Sequence, residues 1–415
     1  MSFSFIHLAD IHLGRPFSGL SEIFSVEKDF ECFQSALNKS LENLLFFSIE
    51  KKVDFILISG DTFDSSESDF SSVYSFKKLL KKFEENGIKV FVVCGNHDPI
   101  KAYNRNTFDF DENSLIKIVG VNTPSKAKIP FYKNGEIIGY IHSVSFEEEK
   151  FNGRVLDNFY DINTNFFNIA LLHCDIEASI DSSYAPCLLS ELKNFNFDYC
   201  ALGHIHTPKK LSENIYYAGT LQGRNIKENG EHGIRYVCVE NNKIVKNDFI
   251  TMDVVRYENI EIDLSNTNDE TTALDKVIEC VNSFLKVQNH LCAVYLLSLK
   301  LIGTIDFYTK INEEFYKEVS EVLNSISIAQ IYVSQVDNLL IPKVNENELL
   351  LDEGISGELY RLINDDHELK QIYLKTFQEI EKACIGNLNE EQILRLVKED
   401  CKNLSNFIFN NEKED

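Results

Sequence analysis

Five apolar, strand-like runs in the first half of this chain each end in a short block of Asp, Asn or His. No other feature limits the fold as strongly. FSFIHLA, VDFILIS and IKVFVVC lead into Asp10-Ile-His12, Gly60-Asp61 and Gly95-Asn96-His97-Asp98. NIALL leads into His173, and residues 198–202 lead into Gly203-His204-Ile-His206. VDFILIS and IKVFVVC are unbroken apolar runs, as expected of strands covered on both faces. Helical stretches over about 27–50 and 70–85 separate the first three runs. The first carries Phe30, Phe33, Leu37, Leu41, Leu44 and Leu45 at helical spacing. The second stops at Asn86-Gly87. Strand, helix, strand, helix, strand in this rhythm predicts a parallel βαβ core. Functional side chains then belong at the carboxyl ends of the strands.

After about residue 113 the pattern shifts to short strands at 115–120, 136–142, 168–172, 198–202, 215–218, 233–239 and 244–250, read as a second sheet packed on the first. The polar segment 146–166 reads as a surface loop. From about 255 a β-α-β-α-β unit follows: YENIEIDL (257–264), a helix over about 270–287, AVYLLSLKL (293–301), a helix around 309–324, and SIAQIYVSQV (327–336). Beyond 345 the chain is charged and helical, with Leu359, Leu362, Ile363, Leu369, Ile372 and Leu374 in one stretch and Ile393, Leu394, Val397 and Leu404 in another. The last residues, 409–415, read as a frayed tail. One core seldom grows beyond ~250–300 residues. The 415 residues are therefore divided into an α/β domain at 1–253, a small α/β domain at 254–342 and a helical segment at 343–415.

No apolar run reaches the ~20 residues of a membrane span. MSFSFIHLAD lacks a basic region followed by a long apolar stretch, so no signal peptide is expected. The ten Cys are scattered without a CxxC or zinc pattern, which suits reduced thiols and a cytoplasmic protein. The net charge of −24 is awkward for a chain that grips DNA alone, because phosphate contacts need clustered Lys and Arg. Either a local basic groove or a partner has to supply that affinity.

The five blocks together offer three Asp, one Asn and five His, a ligand set for two adjacent divalent metals. Such a site needs one carboxylate that touches both ions, and Asp61 is the candidate bridge. Asp10, His12 and one of His204 and His206 would hold the first ion. Asn96, His173 and the other would hold the second. Mixed oxygen and imidazole ligands suit Mn²⁺, Fe²⁺ or Zn²⁺ better than Mg²⁺ or Ca²⁺. His97 follows a ligand directly and is a candidate proton donor to a leaving oxygen. Asp98 and Asp64 either orient His97 or cap local turns. Arg15 and Arg224 either touch a phosphate or pair with nearby acids. His7 and His142 read as structural, and His232, His290 and His367 as surface residues.

These blocks (DIH, GD, GNHD, H, GHIH) resemble the calcineurin-like metallophosphoesterase superfamily. FIHLADIHLGRPF, GDTFD and YYAGTLQGRNIKENGEHGI narrow the resemblance to SbcD-type DNA repair exonucleases, especially the YhaO-like branch, over about residues 3–250. The resemblance implies a four-layer fold of two β-sheets flanked by helices, a small α/β capping domain and a helical C-terminal segment. It assigns Asp10, His12, Asp61 and His206 to one ion and Asp61, Asn96, His173 and His204 to the other. The ions would most often be Mn²⁺, and His97 would be the acid. It further implies DNA as substrate, docking of an SbcC-like coiled-coil ATPase by the C-terminal helices, and a homodimer. Residues 104–166 carry little of it. The leading expectation is thus a metal-dependent DNA exonuclease or endonuclease in an ATPase-coupled repair or defence complex. A metallophosphoesterase for small or cyclic phosphodiesters and a structural subunit of an ATPase complex are the alternatives.

Overall fold

The computed structural model describes residues 2–17, 27–65, 69–105, 108, 110–111, 113–151, 153–159, 162–176, 182–288, 292–326, 329–343, 346–365, 367 and 398. Two compact units emerge: Met1–Glu258 with Cys292–Leu296, and Asn259–Leu291 with Leu297–Asp415.

The first unit contains two six-stranded sheets. One is built around β1 (Ser2–Leu8), β2 (Phe55–Ser59), β3 (Lys89–Val93) and β4 (Ile116–Ile118), all parallel. β2 is buried throughout. The crossovers carry α1 (Glu27–Glu50) and α2 (Phe70–Glu85). α2 starts where Asp69 accepts a hydrogen bond from Ser72 N–H at 2.9 Å, and it buries Val73, Phe76, Leu79, Leu80 and Phe83 on one face. That face joins Leu37, Leu41 and Leu44 of α1 over the sheet.

The second sheet has the order β5 (Lys126–Lys133), β6 (Glu136–Val144), β7 (Phe167–His173), β8 (Tyr199–Gly203), β10 (Ile215–Tyr217), β9 (Lys209–Ser212). Its four central strands are parallel and its two edges antiparallel. Between the sheets lies an aromatic layer in which Phe3, Phe5, Phe55 and Phe91 meet Phe131, Phe167 and Tyr199. Phe5 and Phe55 stack at 5.1 Å between centroids, and Tyr199 meets Phe5 edge-on. Burying each such side chain contributes roughly 1.5–3 kcal/mol. The layer fixes the spacing of the sheets, so the carboxyl ends of β1, β2, β3, β7 and β8 open onto one rim.

The strands at 115–120, 233–239 and 244–250 depart from the sequence expectation. As β4, β11 (Gly233–Glu240) and β12 (Lys243–Thr251) they join the first sheet. β11 runs antiparallel along the free edge of β1, which makes β1 a central strand and explains its burial. Segment 146–166 is also not a simple loop. Its Phe146, Val155 and Leu156 are buried against the outer face of the second sheet, so the polar residues around them hid a core contribution.

A three-stranded sheet follows, with β13 (Val255–Asp263), β14 (Val294–Ile305) and β15 (Gln330–Pro342) in that order. α5 (Glu270–Lys286) opens with a capping box between Asp269 and Thr272. α6 (Glu313–Ile326) packs beside α5 and β15. α7 (Glu346–Leu351) and α8 (Ile355–Asn364) share a small core of Leu349 and Tyr360. The apolar series from Leu369 through Leu404 and the tail lie outside the described residues. Among the described residues no helix is long and apolar enough to cross a membrane.

Candidate metal centre

All five blocks converge on the rim. The loops after β1 and β2 are bonded to each other: Asp10 N–H donates to the Gly60 carbonyl at 3.1 Å, His12 N–H to Asp61 at 3.0 Å, and Leu13 N–H to Thr62 at 2.8 Å. Asp10, His12, Asp61 and His204 all have positive φ, at 49°, 48°, 48° and 106°. Non-glycine residues rarely adopt this conformation unless their surroundings impose it, and such strain concentrates at functional sites. Gly95 packs directly under Asp61: a Cβ there would lie 2.1 Å from Asp61 Oδ1.

The donor atoms are arranged for cations. His173 Nδ1–H donates to the Ser59 carbonyl at 2.9 Å. That leaves a lone pair on Nε2, which faces Asn96 Oδ1 at 2.9 Å and Asp61 Oδ2 at 3.4 Å. His206 Nδ1–H donates to Glu228 Oε1 at 2.8 Å. Asp64 Oδ1 stands 3.1 Å from His12 Nδ1 and favours the proton there. The Nε2 lone pairs of His12 and His206 therefore confront each other at 3.1 Å. Asp61 Oδ2 is 3.8 Å from His12 Nε2. Lone pairs facing lone pairs and carboxylates are repulsive by themselves, and a bound cation converts them into ligands. Asp10, His12 and His206 form one group able to hold an ion, and Asp10, Asp61 and His173 form another. Both oxygens of Asp10 also accept the His204 N–H at 3.1 Å. The His204 ring lies 3.8 Å (Nε2 to Oδ2) from Asp175 and stacks on Tyr184.

Burial lowers the pKa of His12 and His204 to about 4 and of His173 to about 3, so these rings are neutral and free to ligate. Burial and the neighbouring Asp61 carboxylate push Asp10 up. Paired buried carboxylates of this kind are stabilised when a cation sits between them. At Glu228 burial acts upward, but the hydrogen bond from His206 and the Arg224 N–H outweigh it and bring the carboxyl to about 2.

The remaining sequence candidates fall in distinct places. His97 is exposed. Its N–H donates to Asp61 Oδ1 at 3.0 Å, and its Nδ1 lies 2.7 Å from the Asp64 carbonyl oxygen. Asp64 thus orients His97 through its backbone, while its side chain faces His12. Asp98 is fully buried and accepts from the N–H groups of Asp61, Thr62, Phe63 and Gly95 and from the Tyr103 hydroxyl, none of them on His97. Its bonds hold the Asp61 loop, which is the turn-capping alternative of the sequence reading. Arg15 is half-buried at the rim, with Nη1 3.7 Å from Glu228 Oε1. Arg224 is only 3% exposed, and its guanidinium donates to the carbonyls of Ile11 and His12. Its Nη1 and Nη2 thus serve backbone carbonyls, and its Nε is buried without a hydrogen-bond partner, so Arg224 braces the His12 loop from within the fold.

Among the other histidines, His7 bonds Tyr199 and the Leu202 carbonyl and His142 bonds Asn168, both buried as expected. His232 is buried rather than on the surface, held between Thr220 Oγ1 and the Glu228 carbonyl. His367 is exposed, and His290 lies outside the described residues. Sequence reasoning missed Glu228, Asp175 and Tyr184. Glu228 sits in KENGEHG, whose polar, glycine-rich composition reads as a turn and carries no ligand signal.

Residues 3–208 match the family model described as calcineurin-like phosphoesterase. A Bacillus subtilis (strain 168) protein described as the uncharacterized metallophosphoesterase YhaO is 28% identical over 298 residues, covering 71% of this chain and 71% of that protein. The DNA double-strand break repair protein Mre11 of Methanocaldococcus jannaschii is 26% identical over 396 residues, covering 89% of this chain and 96% of its own length. Mre11 of Methanococcus maripaludis is 23% identical over 393 residues, covering 90% and 98%.

Proposed function

Because this chain belongs to the calcineurin-like metallophosphoesterases, a family of hydrolases, we propose that it is a two-metal-dependent DNA nuclease. It hydrolyses phosphodiester bonds as the catalytic subunit of an ATPase-coupled repair or defence complex. The observation that carries this reading is the convergence of seven ligand-type side chains from five strand ends on one rim. Similarity to Mre11 over nearly the whole chain supports DNA as the substrate. A domain order of 1–253 catalytic, 254–342 capping and 343–415 partner-docking fits the same reading, with the C-terminal helices engaging a coiled-coil ATPase. The net charge of −24 favours a nuclease whose hold on DNA is assisted by that partner.

Asp10, His12, Asp61 and His206 would hold one ion, and Asp61, Asn96, His173 and His204 the other, with Mn²⁺ the expected metal. When bound, the pair neutralises phosphate charge and activates water for attack. The protein's own residues orient and exclude. Asp98 fixes the Asp61 loop, and Ser59 and Glu228 fix the tautomers of His173 and His206. Asp64 aims His97. As an imidazolium, His97 keeps Nδ1–H on the Asp64 carbonyl and gives its Nε2 proton to the leaving oxygen. Arg15 stands at the rim where a phosphate enters.

The test is Mn²⁺-dependent cleavage of end-labelled linear DNA beside bis-p-nitrophenyl phosphate and cyclic AMP, with His97→Ala as control. Cleavage of DNA by the wild type alone supports the nuclease. Turnover of the small esters without DNA cleavage, even with the cognate ATPase added, refutes it in favour of a small-phosphodiester enzyme.

A further inference from the structure

The two imidazoles of the first cation group, His12 and His206, come from loops 194 residues apart. One short segment, 222–228, grips both. The Arg224 guanidinium donates to the carbonyls of Ile11 and His12, the first pair at close range and the second at 2.8 Å. The Arg224 N–H donates to Glu228 Oε2 at 2.9 Å, and Glu228 Oε1 receives the His206 Nδ1–H at 2.8 Å. The segment is itself anchored. Gln222 Oε1 accepts from Val254 and Val255 N–H at 2.8 and 3.2 Å, and the Tyr257 hydroxyl donates to the Arg224 carbonyl at 3.2 Å. Arg224 and Glu228 are 3% and 7% exposed, so these bonds are made largely out of water, where losing one partner is costly.

His173, by contrast, takes its orientation from the Ser59 carbonyl, and His204 from Asp10 and its stack on Tyr184. The two positions share Asp10, but the 222–228 segment that holds His12 and His206 makes none of the bonds that orient His173 and His204.

We propose that Arg224 and Glu228 form a clip that sets the affinity of the Asp10–His12–His206 position selectively. Arg224 holds the carbonyls of the left-handed loop that presents His12. Glu228 holds the proton of His206 on Nδ1 and leaves Nε2 for the ion. Both are positioning residues, acting through the ligands. The inference rests on the two-cation reading above.

The experiment is calorimetric titration of the full-length apoprotein with Mn²⁺ for wild type, Glu228→Ala and Glu228→Gln, with a thermal melt of each apoprotein. The wild type should bind two ions. Glu228→Ala should weaken one of them by about 10–100-fold and leave the other as in the wild type, the usual effect of losing a ligand's hydrogen-bond partner. Glu228→Gln retains an acceptor oxygen for His206 Nδ1–H and should recover most of the lost affinity. Two ions bound at wild-type affinity by Glu228→Ala would overturn the clip alone. Equal weakening of both ions, or a collapsed melt in both variants, would overturn it in favour of a purely structural role. A wild type that binds fewer than two ions would overturn the two-cation reading, and the clip with it.

Discussion

Replacing Gly95 with Ala tests whether backbone packing is what holds the bridging carboxylate. The new Cβ would lie 2.1 Å from Asp61 Oδ1, 2.7 Å from Asp61 N and 2.9 Å from Asp61 Cγ. Ordinary contact begins near 3.4 Å, so the carboxylate must retreat by about 1 Å, the order of a bond length. It cannot do so freely. Oδ1 accepts the His97 N–H at 3.0 Å, and the Asp61 N–H is held by Asp98 Oδ1 at 3.1 Å. Overpacking of this kind costs about 1–3 kcal/mol. A lost hydrogen bond to a charged group adds about 1.5–3 kcal/mol. The lower entropy of Ala in the unfolded chain returns only about 0.4–1 kcal/mol. The net expectation is a loss of roughly 1.5–5.5 kcal/mol, or a melting temperature lower by about 3–22 °C at the 2–4 °C per kcal/mol of a domain this size. Both ions should weaken together, because Asp61 faces both groups. The assay is a thermal melt of apoprotein with Mn²⁺ stoichiometry measured on the same preparation. A Gly95→Ala protein that melts like the wild type and holds two ions would refute the argument.

Three further outcomes follow from the same geometry. His97→Ala should abolish Mn²⁺-dependent cleavage of linear DNA, whose alkoxide leaving oxygen needs a proton, while Mn²⁺ stoichiometry stays at the wild-type value; loss of metal would place His97 among the ligands. Burial lowers His7 from 6.5 to about 3, partly offset by its bond to the Leu202 carbonyl; the unfolded chain therefore binds a proton that the folded one refuses, and stability falls as pH drops from about 6.5 towards 3, at up to about 1.4 kcal/mol per pH unit. His7→Gln should flatten that dependence in melts across the window, and an unchanged slope would assign it to other groups. Asp69→Ala removes the acceptor for Ser72 N–H at the start of α2 and should cost about 1 kcal/mol, read as a small drop in melting temperature; no drop would mean that water replaces the cap.

The strand ends were legible because β1, β2 and β3 are covered on both faces, and unbroken runs such as FILIS leave little alternative. Each ligand block then marks where a run stops. Sheet membership was not legible: the alternation of β11 is the same whether it pairs with β1 or with the second sheet, and only the antiparallel register Phe3 to Val239 settles it. Residues one step behind the ligands were hidden for a related reason. Arg224, Asp98, His232 and Glu228 do their work through backbone groups or through another side chain. Their chemistry is set by burial, which a polar residue in a glycine-rich turn does not announce. Arg224 looked like a phosphate contact because guanidinium donors fit phosphate and peptide carbonyls equally well.

The same buried residues explain how the site tolerates its own backbone. Asp10, His12 and Asp61 sit at φ near +49°, and left-handed geometry costs a non-glycine residue about 1–2 kcal/mol. Three such residues together would unfold a free loop. Here the first and second loops donate hydrogen bonds to each other, four backbone N–H groups close on Asp98, and the Arg224 guanidinium closes on the loop that carries His12. Each net bond is worth about 0.5–1.5 kcal/mol, more where one partner is charged. That is enough to offset the strain only while all of them are made. The ligand loops are therefore held as one unit, and loosening one strap should disturb first the ligand it carries.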